Sequence, residues 1–135
     1  MSDLPARPPL PNAETQPFWD ATAEGRIELP RCGDCDLVIW YPRSICPDCQ
    51  STDLTWQSMS GAGTLYSYSV TRAGGGRAWR EHLPFVVAYV RLDEGPTMLT
   101  NIVDCDPDDL EVDMAVTAVF DDTGEGNALV RFRPA

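Results

Sequence analysis

Lysine is absent from this chain of 135 residues, and all ten of its basic residues are arginine. That absence excludes a Schiff-base or lysine-base mechanism carried by the chain itself. Histidine is almost absent too. His82 is the only one, so a Cys-His or Ser-His catalytic machine would have to be built on one imidazole beside Glu81, and the residue reads as part of a loop near Leu83 and Pro84. Long apolar runs are also missing. The longest, around Phe85 to Val90, is far too short to span a bilayer. The stretch from Met1 to Pro11 is proline-rich, without a basic start or an apolar run, so an export signal is not expected and the location is read as cytoplasmic. Positive charge is scarce: 21 acidic residues against ten arginines leave a net charge of −11. Such a chain repels phosphate backbones and anionic membrane surfaces, so neither nucleic acid nor membrane is the expected partner.

Against these absences stand five cysteines, four of them in two Cys-x-x-Cys pairs, Cys32/Cys35 and Cys46/Cys49. Two such pairs at ribbon-like separation are the sequence pattern of one tetrahedral four-thiolate site. Gly33 and Pro47 suit the tight knuckles that such a site needs. A disulfide framework would need an oxidising compartment, and a redox Cys-x-x-Cys usually occurs once beside a βαβ pattern. The expected ion is structural Zn²⁺, with iron in a rubredoxin-like carrier as the remaining choice, because four thiolates suit either metal. A closed four-cysteine site leaves no open position for substrate. Cys105, the fifth, lies between Asp104 and Asp106, which disfavour its thiolate, and it reads as a small packing residue.

The length allows one ordinary core with a small metal-stapled module attached. Residues 1–26 read as an N-terminal arm and short helix, 27–60 as a zinc ribbon, and 61–135 as a barrel. Pro5, Pro8, Pro9 and Pro11 predict a mobile arm up to Asn12. A helix should follow from Pro17, with Thr15 or Gln16 near its N-cap and Gly25 as its stop. At two turns it needs a surface to lie on, so Phe18 and Trp19 are candidates for packing against the chain's own core or against a partner. In the ribbon, Leu37 to Tyr41 reads as a β-prone return, and Trp40, Tyr41 and Trp56 as cover for a module too small for its own core. Beyond Gly61 the pattern has period two. Strands are expected at Thr64–Thr71, Phe85–Leu92, Thr97–Val103, Ala115–Phe120 and Asn127–Phe132, with a short helical turn after Asp106. Five short strands in this arrangement fit an OB-fold barrel, giving a mainly β chain.

Arg72, Arg77 and Arg80 flank Ala73-Gly74-Gly75-Gly76 and form the densest positive charge in the chain. Arginine pairs with phosphate, and glycine lets backbone approach a ligand, so a coenzyme A contact is one reading and a solvated hairpin loop the other. The glycine run matches no P-loop or dinucleotide fingerprint. Trp79 beside these arginines has the composition of a partner-facing hot spot.

The order Pro17-Phe18-Trp19, Cys32-Gly33-Asp34-Cys35, Tyr41-Pro42, Cys46-Pro47-Asp48-Cys49, Gly61-Ala62-Gly63-Thr64-Leu65-Tyr66-Ser67, Leu83-Pro84-Phe85-Val86-Val87-Ala88, Leu99-Thr100-Asn101-Ile102 and Phe132-Arg133-Pro134 resembles the acyl-CoA-associated zinc-ribbon/OB-fold family over nearly the whole chain. The resemblance implies an N-terminal helical segment, a rubredoxin-like zinc ribbon and a C-terminal OB-fold. It also implies an accessory, noncatalytic role beside thiolase-like enzymes or hydratases acting on CoA thioesters, including the aldolase of steroid side-chain degradation, in a heterotetramer. The metal ligands carry over to Cys32, Cys35, Cys46 and Cys49. Acyl-CoA as a ligand of this chain, an acyltransferase partner, and a nucleic-acid module using the OB face are the alternatives that stay open.

Overall fold

The computed structural model describes residues 2–135; Met1, the first residue of the expected arm, lies outside them. Helix α1 spans Gln16–Ala23. Pro17 suits the first turn, where no backbone N–H is needed, and Gly25 ends the helix with φ +73°. Thr15 is the N-cap residue, but its side chain does not cap the helix. It faces backwards instead. Thr15 Oγ1 accepts from Asn12 N and Asn12 Oδ1 accepts from Thr15 N, both at 3.0 Å. Phe18, Ala21 and Thr22 form the buried face at i, i+3 and i+4. Thr22 Oγ1 accepts from Ala128 N at 3.0 Å and so pins the helix to the barrel.

Strands β1, Glu28–Cys32, and β2, Leu54–Ser58, pair antiparallel from Glu28↔Ser58 to Cys32↔Leu54. The return expected at Leu37–Tyr41 forms no strand. It makes one isolated bridge, Arg31↔Val38, because the metal knuckles on either side bend the chain away.

The barrel contains β3, Ala62–Thr71; β4, Phe85–Leu92; β5, Thr97–Ile102; β6, Ala115–Asp122; and β7, Ala128–Pro134. Its order is β3-β4-β5-β7-β6, and it closes through Ala62↔Thr117 to Thr64↔Ala115. The parallel contact of β5 with β7 at Ile102↔Phe132 makes it a five-stranded Greek-key barrel of the OB type. The turn expected after Asp106 is present as a 3-10 helix, Pro107–Asp109, and the Asp106 carboxylate accepts from Asp108 N.

Residue parity changes within β3. A bulge between Leu65 and Ser67 adds Tyr66 to the strand. Simple alternation would put Tyr66, Tyr68 and Val70 on one face. The extra residue separates them: Tyr66 is exposed, while Tyr68 and Val70 pack against the core. Tyr68 Oη donates to Leu110 O at 3.0 Å.

One hydrophobic cluster runs from the helix through β1 into the barrel, from Phe18, Ile27 and Leu29 to Leu65, Val90, Met98 and Phe132. The ribbon therefore shares its lower part with the barrel core. Its upper part has only Cys32, Ile39 and Cys46, with Leu37 and Leu54 packed around them.

The N-terminal arm also departs from expectation. It does not project into solvent but lies on β6 and β7, over a buried ion pair. Asp121 and Arg131 are each only 2% exposed. Asp121 accepts from Ser2 N at 2.6 Å and from Ser2 Oγ, while Arg131 donates to Leu4 O at 3.2 Å and Pro5 O at 2.6 Å. The arm leaves the carbonyls of Leu4 and Pro5 free as acceptors, and a buried guanidinium takes them.

Candidate metal centre and partner surface

The four thiols of Cys32, Cys35, Cys46 and Cys49 lie within 4.8 Å of one another. Sγ of Cys32 is 3.5 Å from that of Cys49, and Sγ of Cys35 is 3.6 Å from that of Cys46. A tetrahedron with metal–sulfur bonds of about 2.3 Å has edges of about 3.8 Å, so the donor set fits a four-thiolate ion without rearrangement.

Two near-identical knuckles create this geometry. In the first, Asp36 N donates to Cys32 O at 3.0 Å and Cys32 N to Leu37 O at 2.9 Å; in the second, Gln50 N donates to Cys46 O and Cys46 N to Ser51 O, both at 2.9 Å. Asp36 and Gln50 share φ +63°. The first cysteine of each pair is buried and the second exposed. Ser51 Oγ donates to Asp34 Oδ2 at 2.5 Å, and Gly33 N to Asp53 O at 2.7 Å, so the knuckles brace each other.

The thiols compete for charge. Backbone N–H groups of Cys35 and Asp34 hold Cys32 down at about 7 against the opposing effect of burial. At Cys35 the backbone N–H of Leu37 pulls down, but burial and the neighbouring thiols prevail and push it up to about 12. Four thiolates this close repel one another, and a bound dication removes the conflict by stabilising all four. Such an ion would link β1, β2 and both knuckles.

The aromatic residues have separate roles. Phe18 is 1% exposed, so of the two surfaces expected for it, the chain's own core or a partner, it packs against the core. It sits edge-on to Trp19 and Trp40, with centroids at 4.8 and 5.4 Å, as the wedge between helix and ribbon. Trp19 stays half-buried and donates from Nε1 to Tyr41 Oη at 2.9 Å. Glu14 Oε2 accepts from Ser44 N at 2.6 Å, and this bond holds the Glu14 carboxyl below its usual range.

The glycine loop is more ordered than a solvated hairpin. Arg77–His82 forms a 3-10 helix, and Trp79 is half-buried with its ring 4.6 Å from that of Phe85. A Cβ on Gly75 would lie 3.1 Å from both Phe85 Cε1 and Trp79 Cβ. Trp79 is thus partly used in holding the loop. All three arginines are exposed, and Arg72 approaches Asp108 at 3.5 Å. The three arginines do not share a hydrogen-bond partner among the described residues.

His82 and Cys105 line one pocket of about 250 Å³ under the N-terminal arm. No hydrogen bond joins them among the described residues. Burial pushes the Cys105 thiol up, aided by Asp109, Asp104 and Asp106. Sequence reasoning did not find the outward stripe of Tyr66, Tyr89 and Leu99, which are 49%, 46% and 53% exposed. Alternation alone points Tyr89 and Leu99 outward, but the bulge that adds Tyr66 has no sequence signal.

Residues 19–55 match a family model described as ChsH2, rubredoxin-like zinc ribbon domain, and residues 56–121 one described as ChsH2, C-terminal OB-fold domain. A solved structure titled "Ltp2-ChsH2(DUF35) aldolase" superposes with a TM-score of 0.82 at 31% identity, covering 94% of this chain and 98% of that one. A DUF35 domain-containing scaffold protein of Methanocaldococcus jannaschii is 37% identical over 67% of this chain and 64% of its own length. A probable enoyl-CoA hydratase alpha subunit of Thermomonospora curvata is 34% identical over 87% of this chain. The chain spans somewhat less than two thirds of that scaffold protein and 37% of that alpha subunit.

Proposed function

Because the chain belongs to the ChsH2 (DUF35) family of zinc-ribbon/OB-fold proteins, we propose that it is an accessory, noncatalytic component that binds and supports a thiolase-like acyl-CoA enzyme. Its most specific form is the partner of a lipid-transfer-type aldolase that cleaves a steroid side-chain acyl-CoA by a retro-aldol reaction. The observation that carries the reading is the superposition on a chain of the structure titled "Ltp2-ChsH2(DUF35) aldolase" along almost the full length of both. The relative described as a scaffold protein is consistent with a supporting role.

The complex is a cytoplasmic heterotetramer, and acyl-CoA is bound mainly by the partner. Cys32, Cys35, Cys46 and Cys49 hold structural zinc, which fixes the 27–60 ribbon against the 61–135 barrel and the 1–26 segment. The chain's own residues supply surface and order rather than proton transfer. Arg77 and Arg80, together with Arg72, offer positive charge to a CoA phosphate or to the partner, and Trp19 and Trp79 offer aromatic edges. The similarity to a hydratase alpha subunit supports a second reading, in which the partner is an enoyl-CoA hydratase.

The test is affinity purification of this chain from its native host with identification of stoichiometric partners. The partner's retro-aldol or hydratase rate is then measured with and without the chain. A thiolase-like aldolase whose activity or stability depends on the chain is the expected result. Recovery of the chain alone, or a partner indifferent to it, overturns the proposal.

A further inference from the structure

The preceding reading leaves the outer face of β3, β4 and β5 without a role. Tyr89 on β4 stands directly opposite Leu99 on β5 and Ser67 on β3. The β3 bulge brings Tyr66 to the same face, where the Arg91 guanidinium lies 4.5 Å from its ring centroid. Tyr66, Tyr89 and Leu99 are each close to half exposed. A shallow depression of about 200 Å³ runs beside them, floored by β3 and β4.

The charge pattern of this face is unusual for the molecule. In a chain of net charge −11, β3, β4 and β5 contain no acidic residue, and Arg91 is their only charged one. Depletion of charge around Tyr and Arg is the composition of a protein–protein interface core, where acidic side chains would be stripped of water without return. Charge collects at the ends of the stripe. Asp93 and Glu94 form the β4–β5 turn, while Asp104 and Asp106 follow β5 near the mixed Arg72–Asp108 pair.

We infer that this β3–β4–β5 face is the docking surface for the partner enzyme subunit, through a patch that is apolar at its centre and basic where it meets Asp93. The inference rests on the proposed accessory role and adds to it the place of contact. A second copy of this chain fits less well, because each copy brings a charge of −11 and the same acidic turn. Single-stranded nucleic acid would find tyrosines for stacking, but only one arginine on the strands for its phosphates.

The experiment uses the full, zinc-loaded chain and the enzyme identified by mass spectrometry in the wild-type purification, itself purified and titrated against each variant. Tyr89→Ala and Leu99→Arg each weaken binding at least tenfold, Tyr89→Phe retains it, and Trp56→Arg on the ribbon leaves it unchanged. Zinc content and thermal unfolding of each variant confirm that the fold persists. Equal binding by all variants overturns this surface and leaves the accessory role standing. Wild-type chain that binds no CoA enzyme overturns the accessory role and this surface with it. Self-association abolished by Leu99→Arg, or oligo-dT binding abolished by Tyr89→Ala, assigns the face to another occupant and equally refutes the inference.

Discussion

Replacing Asp121 with Asn keeps the side-chain shape and removes the charge from the buried pair that anchors the N-terminal arm. The Arg131 side chain is 3% exposed and the Asp121 side chain 2%. Arg131 still has Ser2 Oγ, Leu4 O and Pro5 O as neutral acceptors, but no counter-charge remains, and burial already pulls its pKa below the ordinary arginine value. Breaking a buried pair from one side costs about 3–5 kcal/mol. Against a typical total of about 5–15 kcal/mol this is a large fraction. Removing both charges, as Asp121→Asn with Arg131→Met, leaves no stranded ion and recovers part of that loss, the remainder being the donors that Leu4 O and Pro5 O lose. Urea unfolding of the zinc-loaded protein should show the single variant's midpoint lowered by more than about 1 M, with the double variant between it and wild type. Limited proteolysis should cut the single variant within residues 2–12 while the barrel persists. A loss below about 1 kcal/mol for Asp121→Asn, or a double variant no better than the single, would refute the claim that the pair is dry and mutually dependent.

Other outcomes follow from the same structure. Cys32→Ser or Cys46→Ser abolishes stoichiometric metal, measured by plasma mass spectrometry, and loosens β1 and β2 before the barrel; a colourless protein reports zinc and a coloured oxidised one iron. In the metal-loaded protein a thiol reagent meets only Cys105, and slowly, because its raised pKa keeps the thiolate scarce near neutral pH; the rate climbs as pH rises, and a chelator exposes the other four. Gly63→Ala places a Cβ 2.5 Å from Arg91 O, so β3 and β4 must separate locally, at a cost of about 1–3 kcal/mol in thermal or urea unfolding. The folded Glu14 carboxyl has a lowered pKa, so its contribution is complete above its unfolded value and fades as pH falls through the folded one; Glu14→Gln should flatten the acid limb of the stability profile. Arg77→Ala with Arg80→Ala should weaken CoA or partner binding without changing metal content, and unaltered affinity removes that role.

The local rules decided a good deal. Cys32, Cys35, Cys46 and Cys49 announced their site because a Cys-x-x-Cys knuckle closes through hydrogen bonds between residues a few positions apart, so spacing alone encodes it. Most strands were legible for the same reason, since alternation and turn residues such as Gly95 and Pro96 act within one hairpin. The 3-10 turn after Asp106 needed only an acceptor side chain and a proline beside it. What tertiary structure decided are the facts that depend on which strand lies next to which. The bulge at Tyr66 follows from the pairing of β3 with β4, and it reverses which tyrosines of one alternating segment face the core. The Asp121–Arg131 pair had no signal of its own: Asp121 falls just past the strand expected at Ala115–Phe120, and nothing in a sequence marks a charge whose partner comes from its neighbour strand and whose remaining acceptors lie over a hundred positions away. Phe18 was visible as an aromatic seeking a surface, but only the packing of helix against ribbon and barrel determined that it is buried in the chain's own core.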